Sequence, residues 1–137
     1  MALTFLLDTS VLKRLASKAV RERVEPLAAA GRLARAGICD LEVGYSARNA
    51  AEWERLVGAL VALALVETTA EHVRRARQIQ RSLAERSQRG RKVPDLLIAA
   101  AAEERDLIVM HYDADFDLIA GVTGQRTEWV VAAGGTD

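Results

Sequence analysis

The chain has 137 residues, of which 50% are hydrophobic and 28% charged, and its 19 basic and 19 acidic residues give no formal net charge at pH 7. These values fit a globular protein with one core, and they exclude a disordered chain or a generally basic nucleic-acid coat. The single cysteine, Cys39, excludes an intrachain disulfide, so we expect a reduced, cytoplasmic location and not a secreted, disulfide-linked domain.

The hydrophobic pattern of the first half predicts short strands that alternate with helices. We expect a buried strand at residues 3–7, a helix to about residue 15, a helix at 18–30 ended by Gly31, a strand at 33–37, a helix capped by Asp40, a helix at 50–60 and a weak strand at 63–67. The apolar stretches at 4–7 and 58–66 are too short for a signal peptide or a membrane span, so we expect no membrane contact.

The second half contains the clearest helix, at residues 69–86, where apolar residues recur at helical spacing: Val73, Ala76, Ile79 and Leu83. There follow a basic loop at 88–92, an Ala-rich helix from Pro94 to about residue 105, a strand at 107–110, a loop at 112–115, a short helix at 116–120, an edge strand at 129–132 and a frayed tail at 134–137. The alternation predicts a single α/β domain over residues 1–137. Its three α/β/α layers would be a short parallel sheet with helices on both faces.

Four acidic residues are placed so that they should meet at one edge of this sheet. Asp8 directly follows the first strand, Asp113 follows the strand at 107–110, and Glu42 and Asp95 lie in the first turns of helices. In open α/β sheets, sites form beyond the carboxyl ends of the strands. Each acid taken alone has an alternative explanation as a helix cap or a favourable charge at a helix N-terminus. Four converging carboxylates, however, repel one another unless they share protons or a cation.

Carboxylates without a His or Cys partner favour Mg²⁺ or Mn²⁺ over zinc. Such an ion can hold a phosphate oxygen, lower the pKa of a water molecule and neutralise charge during an in-line displacement. Thr9 and Ser10 would then hold a metal-bound water or a phosphate, or would simply cap the first helix.

Four segments resemble, in order, the motifs of PIN-domain ribonucleases. Residues 6–11 (LLDTSV) are similar to the first motif, and Glu42 within residues 40–45 (DLEVGY) is similar to the second acidic position. Residues 94–100 (PDLLIAA) closely resemble the third motif, and residues 113–117 (DADFD) resemble the fourth. The resemblance covers nearly the whole chain. A chain with so little beyond this core is similar to the VapC-type toxins of VapBC toxin–antitoxin modules.

The resemblance implies a PIN fold and a Mg²⁺- or Mn²⁺-dependent endoribonuclease that cleaves structured RNA, chiefly transfer RNA and ribosomal RNA. Asp8, Glu42, Asp95 and Asp113 would be the catalytic acids and metal ligands, with Asp115 as a fifth ligand. The family also implies a homodimer and a small VapB-type antitoxin. The antitoxin would wrap around the toxin and place a basic side chain in the acidic pocket.

Two further features have alternative interpretations. His111 stands where the family commonly has Thr or Ser, so its imidazole would shuttle a proton or contact phosphate, or would be an ordinary polar residue at a strand end. The basic segment that leads into Asp95 ends in Arg89, Arg91 and Lys92, which would bind backbone phosphate or form a solvated loop.

Residues outside these motifs give weaker signals. Lys13 and Arg14, one turn after Asp8, would reach RNA or remain on the surface. The six aromatic residues are too scattered to predict a stacking platform, and we assign most of them to the core or to an interface.

Other functions fit the same pattern less well. A haloacid-dehalogenase-like phosphatase needs a second Asp where Ser10 stands, and a dinucleotide-binding domain needs a glycine fingerprint after the first strand. A DNA-directed nuclease of the same fold remains open, because metal chemistry does not distinguish the sugars. The alternative from another class is a PIN-like module that binds RNA or protein without cutting. Loss of one of the four acids would indicate such a module, but all four are present.

Overall fold

The computed structural model of the protein describes residues 2–88 and 92–136. Within these ranges the strands are β1 (Phe5–Leu7), β2 (Leu33–Ala36), β3 (Ala64–Val66), β4 (Ile108–His111) and β5 (Thr127–Trp129). The helices are α1 (Thr9–Leu12), α2 (Lys18–Ala29), α3 (Gly37–Gly44), α4 (Ala50–Gly58), α5 (Ala70–Glu85), α6 (Val93–Arg105) and α7 (Asp115–Thr123), with a 3-10 turn at Ala59–Ala62. The predicted alternation of strands and helices is confirmed.

The strands form one parallel sheet in the order β3-β2-β1-β4-β5. In the centre, Leu7 of β1 lies opposite Arg35 of β2 and Met110 of β4. The chain first adds strands on one side of β1 and then returns to add β4 and β5 on the other side. This reversal creates a topological switch point between β1 and β4, which is where open α/β sheets form a ligand-binding crevice.

Alternate residues of the central strand face two separate cores, as the pleat of a strand requires. Leu6 packs with buried side chains of α5, α6 and α7, whereas Phe5 and Leu7 pack against α1 and α2. Small side chains in α6, where residues 98–102 are all buried, keep that helix close to the sheet. The predicted three-layer α/β/α fold is therefore confirmed. No helix in residues 2–88 and 92–136 is long and apolar enough to cross a membrane.

The predicted apolar stripe of α5 is wrong at one position. Val73 is 47% exposed, and His72 is buried in its place. The backbone N–H of Thr69 donates to His72 Nδ1, and Thr69 Oγ1 accepts the His72 N–H, so the two residues close a capping box. His72 Nε2 lies 2.7 Å from Glu104 Oε1. The imidazole is buried because both of its nitrogens have partners.

Two predicted ends also differ from the structure. The edge strand β5 covers Thr127–Trp129 instead of residues 129–132. The tail that follows is not frayed at Gly134, because its backbone N–H donates to the Tyr112 hydroxyl at 2.7 Å. Anchoring contacts of this kind cannot be read from the composition of a short polar tail.

The prediction that Asp40 caps α3 is wrong, because Asp40 pairs with a buried arginine instead. The helix begins at Gly37, and Arg35 Nε and Nη2 donate to the two Asp40 carboxylate oxygens at 2.8 and 3.2 Å. Arg35 also donates to the Leu63 carbonyl. Because Arg35 is only 7% exposed, its charge depends on Asp40 for compensation.

We expect Asp40→Asn to lower the free energy of unfolding by roughly 1–3 kcal/mol, because the buried guanidinium loses its counter-charge. Urea titration followed by circular dichroism measures this loss. The matched control is Glu85→Gln, whose ion pair with Arg81 on α5 is exposed. It should change the free energy of unfolding by less than about 0.5 kcal/mol. An equal effect for both substitutions would contradict the buried-charge argument.

Candidate active site

A cleft of about 530 Å³ opens at the carboxyl edge of the sheet, beyond the switch point. Asp8 follows β1, Tyr112 and Asp113 follow β4, and Trp129 ends β5, so the ends of three strands contribute to its lining. Asp95 reaches the cleft from the first turn of α6. Its other lining residues are Thr9, Ser10, Lys13, Arg14, Glu42, Lys92, Ala114 and Ala133. The structure thus brings the four predicted acids to one cleft.

The capping explanation accounts for only half of the Asp8 carboxylate. Asp8 is the N-cap of α1, and its Oδ2 accepts the Ser10 backbone N–H at 3.0 Å. Its Oδ1, however, is buried and has no hydrogen-bond partner in the described part of the chain. Burial raises the pKa of Asp8 above its ordinary value, and the negative charge of Glu42 adds to this shift.

Asp95 is not a helix cap, because the N-cap of α6 is Lys92. Its side chain is 3% exposed, and among residues 2–88 and 92–136 its Oδ2 finds no hydrogen-bond partner. Burial raises the pKa of Asp95 to about 7, and the negative charges of Asp8 and Asp113 contribute to the shift. A buried carboxylate in this state is costly unless a cation or a proton neutralises it.

Asp113 and Asp115 complete a group of three acids with Asp95. Each of the three places a carboxylate oxygen within 4.8 Å of the others. Asp113 Oδ1 accepts the Asp115 backbone N–H at 2.9 Å, and its Oδ2 accepts a hydrogen bond from Lys92 Nζ at 3.1 Å. Burial acts to raise the pKa of Asp113, but these hydrogen bonds outweigh it and leave that pKa below its ordinary value. The predicted fifth acid therefore lies among the other candidate ligands.

Thr9 and Ser10 connect the acidic segments through hydrogen bonds. The Thr9 hydroxyl donates to Glu42 Oε1 at 2.7 Å and so fixes the carboxylate that α3 contributes. Ser10 Oγ accepts the Tyr112 backbone N–H at 2.9 Å and ties the start of α1 to the loop that carries Asp113. Both side chains line the cleft, and their hydrogen bonds connect the start of α1 to α3 and to the loop after β4.

The donor set of the cleft suits a hard divalent cation. Its described lining offers carboxylate and hydroxyl oxygens but neither His nor Cys. Two of the carboxylate oxygens, Asp8 Oδ1 and Asp95 Oδ2, are buried without a partner in the part of the chain that the structure describes. Hard cations take oxygen ligands, whereas structural zinc is held mainly by Cys and His. The residues present therefore fit a divalent metal ion of the hard class.

His111 lies beneath the cleft and does not line it. Its side chain is fully buried, and its ring centroid lies 5.0 Å from that of Phe116 and 5.1 Å from that of Trp129. His111 Nδ1 accepts the Asp113 backbone N–H at 3.2 Å. Burial lowers the pKa of the imidazole. This geometry favours the strand-end interpretation, in which a neutral His111 positions Asp113, over direct contact with phosphate.

Basic side chains border the acids on two sides. Lys92 lies at the start of α6, and Lys13 and Arg14 lie after α1, so three cations line the same cleft as the carboxylates. Arg89 and Arg91, which the sequence also predicts to bind phosphate, lie outside the described residues. Although the whole chain has no net charge, acidic and basic side chains are therefore concentrated together in this cleft.

The cleft also contains an aromatic pair that the sequence pattern did not predict. Tyr112 and Trp129 both line it, and their rings meet edge to face with centroids 5.4 Å apart. The Arg14 guanidinium lies 4.6 Å from the centre of the Tyr112 ring. The aromatic residues are predicted to be too scattered for a stacking platform, but these two lie together in the cleft. The available signal was that Tyr112 adjoins Asp113 while Trp129 lies in the predicted edge strand.

We expect Lys92→Gln to tighten the binding of a divalent metal ion. The Lys92 ammonium bonds to Asp113 and interacts with the charges of Asp95 and Asp115, so it competes with a cation for the same oxygens. Because this side chain is 62% exposed, the dissociation constant for Mn²⁺ should fall only about two- to fivefold. Isothermal titration measures the change, and Lys18→Gln, which removes an exposed lysine of α2, is the control. Weaker Mn²⁺ binding would mean that Lys92 supports the acids instead of competing for them.

Comparisons with known proteins agree with this architecture. The PIN domain profile matches residues 5–122. The chain is 68% identical, over the full length of both chains, to Ribonuclease VapC51 of Mycobacterium tuberculosis (strain ATCC 25618 / H37Rv). It is 47% identical to Ribonuclease VapC21 of the same strain, across 98% of this chain and 99% of that relative. The crystal structure of DNA-bound VapBC from Salmonella typhimurium aligns with a TM-score of 0.74 at 24% identity, and the alignment covers 94% of this chain and 99% of that one. The chain therefore belongs to the PIN-domain family and, within it, to the VapC ribonucleases.

Proposed function

We propose that this VapC-family chain is the toxin of a type II toxin–antitoxin system. It acts in the cytoplasm as a single PIN domain, an endoribonuclease that uses Mg²⁺ or Mn²⁺ to cleave structured RNA, either transfer RNA or ribosomal RNA, and so inhibits translation. The observation that carries the proposal is a pair of buried carboxylate oxygens, Asp8 Oδ1 and Asp95 Oδ2. Neither has a partner among the described residues, and both acids line the cleft at the switch point.

Asp8, Glu42, Asp95 and Asp113 are the proposed catalytic acids, which hold the metal with Asp115 as a fifth ligand. Bound by these residues, a divalent ion would polarise a phosphate oxygen and would compensate the charge that develops in an in-line displacement. The choice of Mg²⁺ or Mn²⁺ over zinc rests on the oxygen-only donor set of the described lining.

The other residues of the cleft orient the acids and bind the substrate. Thr9 holds Glu42 in place, and Ser10 holds the loop that carries Asp113. Lys13, Arg14 and Lys92 bring positive charge to the border of the acids, where they bind phosphate groups on either side of the one that is cut. Without such a border, a cleft of carboxylates would repel the RNA backbone.

We also propose a VapB-type antitoxin as partner and a homodimer as the functional assembly. Membership of the VapC ribonucleases supports both proposals. The acidic cleft offers a site for a basic side chain of the antitoxin, which would compete with the metal for the buried oxygens of Asp8 and Asp95. An antitoxin bound in this way would inhibit cleavage and exclude RNA at the same time.

The test is incubation of the purified chain, freed of any partner, with total cellular RNA and Mg²⁺ or Mn²⁺, followed by mapping of the cut ends. We expect a few discrete cuts in transfer RNA or ribosomal RNA, lost with EDTA and with Asp8→Asn, which keeps the helix cap. Matched RNA and DNA oligonucleotides separate a ribonuclease from a DNA-directed nuclease. A folded, metal-binding chain that cuts no nucleic acid would overturn the proposal in favour of a binding module.

A further inference from the structure

We propose that Tyr112, Trp129 and Arg14 form a base-stacking subsite, which holds an unpaired nucleobase beside the phosphodiester that is cut. The inference deepens the proposed ribonuclease activity and rests on it. It assigns the substrate class more closely: the nucleotide next to the cut lies in a single-stranded segment or is turned out of a helix.

The subsite is built on the same strand ends as the acids. Tyr112 directly precedes Asp113, and its backbone N–H donates to Ser10 Oγ. Trp129 ends β5, where it lies opposite His111, the last residue of β4. Both rings line the cleft that Asp8 and Asp95 also line, so a nucleotide whose phosphate reaches the acids brings its base to the aromatic pair.

Each member of the subsite is held in place by its polar atoms. The Tyr112 hydroxyl accepts the Gly134 backbone N–H at 2.7 Å, and Trp129 Nε1 lies 3.3 Å from Asp117 Oδ2, to which it donates. Arg14 Nη1 donates to the Ser10 carbonyl at 2.9 Å while its guanidinium lies over the Tyr112 ring. The rings are therefore ordered before any ligand binds, which reduces the entropy lost on stacking.

A nucleobase is the ligand that matches this combination of groups. Aromatic rings stack on the face of any base, and an arginine guanidinium adds a flat cation that stacks in the same way and attracts the neighbouring phosphate. Bases inside an RNA helix have both faces covered, so side chains reach base faces mainly in loops, bulges and single strands. The cleft thereby favours an unpaired nucleotide over the interior of a helix.

The main test compares two RNA oligonucleotides that carry the mapped cleavage site, one intact and one with abasic nucleotides on both sides of the cut. The parent protein should cut the abasic RNA with a kcat/KM about 5- to 150-fold lower, the range expected for one stacked base. The Trp129→Leu and Tyr112→Leu variants should cut the intact RNA with a similarly reduced kcat/KM. Removal of the bases should reduce the kcat/KM of these two variants little further. Trp129→Phe should restore much of the activity, because it restores an aromatic face. Trp53→Leu, a tryptophan of α4 outside the lining of the cleft, should keep the full sensitivity to the missing bases.

A second measurement detects binding without cleavage and so separates this inference from the ribonuclease proposal. In EDTA, the parent protein should quench the fluorescence of a short unstructured RNA oligonucleotide that carries 2-aminopurine, whether or not that RNA contains a cleavage site. The Trp129→Phe variant should quench it far more strongly than the double variant Arg14→Gln, Trp129→Leu. If the chain cuts no RNA but quenches in this way, the activity proposal fails and the subsite stands. Equal kcat/KM for intact and abasic RNA in the parent protein, or no quenching by the parent protein, would overturn the subsite even if cleavage is robust.

Discussion

The Asp95→Asn variant should lose metal-dependent RNA cleavage without losing its fold. Asp95 is buried at the start of α6, and its Oδ2 has no partner within the described residues, so the ion is the partner we propose for it. Groups that merely support a metal ligand are worth about 10- to 100-fold in activity or affinity. Loss of a ligand itself should therefore lower kcat/KM by more than about a hundredfold.

The same substitution should leave the metal-free protein at least as stable as the parent above pH 7. Burial and the charges of Asp8 and Asp113 oppose ionisation of Asp95, and a neutral amide of the same shape removes that repulsion. Thermal unfolding in EDTA at pH 8 measures the effect beside cleavage assays with Mn²⁺. A large loss of stability would mean that Asp95 is a structural residue, and its effect on cleavage would then say nothing about a ligand role.

Asp106→Asn is the matched control, at the opposite end of the same helix. Asp106 follows α6 with a φ of 54°, in the left-handed region that Asn tolerates as well as Asp. The substitution removes one carboxylate from the chain without touching the cleft. It should leave both cleavage and the dissociation constant for Mn²⁺ within about twofold of the parent values, in line with the small effects of surface substitutions.

The convergence of the acids was predictable because it follows from topology alone. Parallel strands end at one edge of a sheet, so Asp8 and Asp113, which follow β1 and β4, had to lie on the same side. Asp95 joins them because α6 runs back along the sheet and begins at that edge. Side-chain detail did not enter this inference, and errors of a few residues in the element boundaries did not affect it.

Features that depend on which partner one polar side chain binds were not predictable. The helical period gives the spacing of an apolar stripe but does not fix its position to within one residue. The pattern therefore placed Val73 on the buried face of α5. The structure buries His72 because Thr69 and Glu104 satisfy both of its nitrogens. In the same way, a short helical motif assigned Asp40 to a cap, whereas the guanidinium of Arg35 binds it.

The aromatic pair of the cleft shows that the register between two strands determines which side chains meet at a site. Tyr112 and Trp129 meet because β4 pairs with β5 so that His111 lies opposite Trp129. The sequence predicts an edge strand that begins at residue 129, while the strand ends there. A shift of this size hardly alters the predicted sheet, but it changes which side chains reach the carboxyl edge.

The metal-free protein should become less stable as the pH rises from about 4 to about 7. The pKa values of Asp8 and Asp95 are raised in the folded state, that of Asp95 to about 7, mainly because both groups are buried. In this range the folded chain holds protons that the unfolded chain has released. The stabilisation that these protons provide is complete below about pH 4 and is lost as the pH rises through the folded pKa values. Each such group lowers the free energy of unfolding by at most about 1.4 kcal/mol per pH unit. Asp113, whose pKa is lowered, contributes in the opposite sense, but its stabilisation is lost only below about pH 4. His111, whose pKa is lowered by burial, also opposes the decline below about pH 6.5, but it is one group against two acids.

A bound metal ion should reverse this pH dependence. A divalent ion takes carboxylates in their ionised form, so its affinity and its stabilising effect should increase up to about pH 7 and then level off, because burial raises the pKa of Asp95 to about 7. Thermal unfolding between pH 4.5 and 8.5, in EDTA and in saturating Mn²⁺, gives both curves, and calorimetry in two buffers counts the protons released on binding. The Asp95→Asn substitution should flatten the decline of stability with pH in EDTA and should remove most of the proton release on metal binding. The Asp106→Asn substitution should leave the decline and the proton release unchanged. A metal-free protein whose stability rises through pH 5–7 would contradict the argument, because the acids of the cleft would then be compensated without a cation.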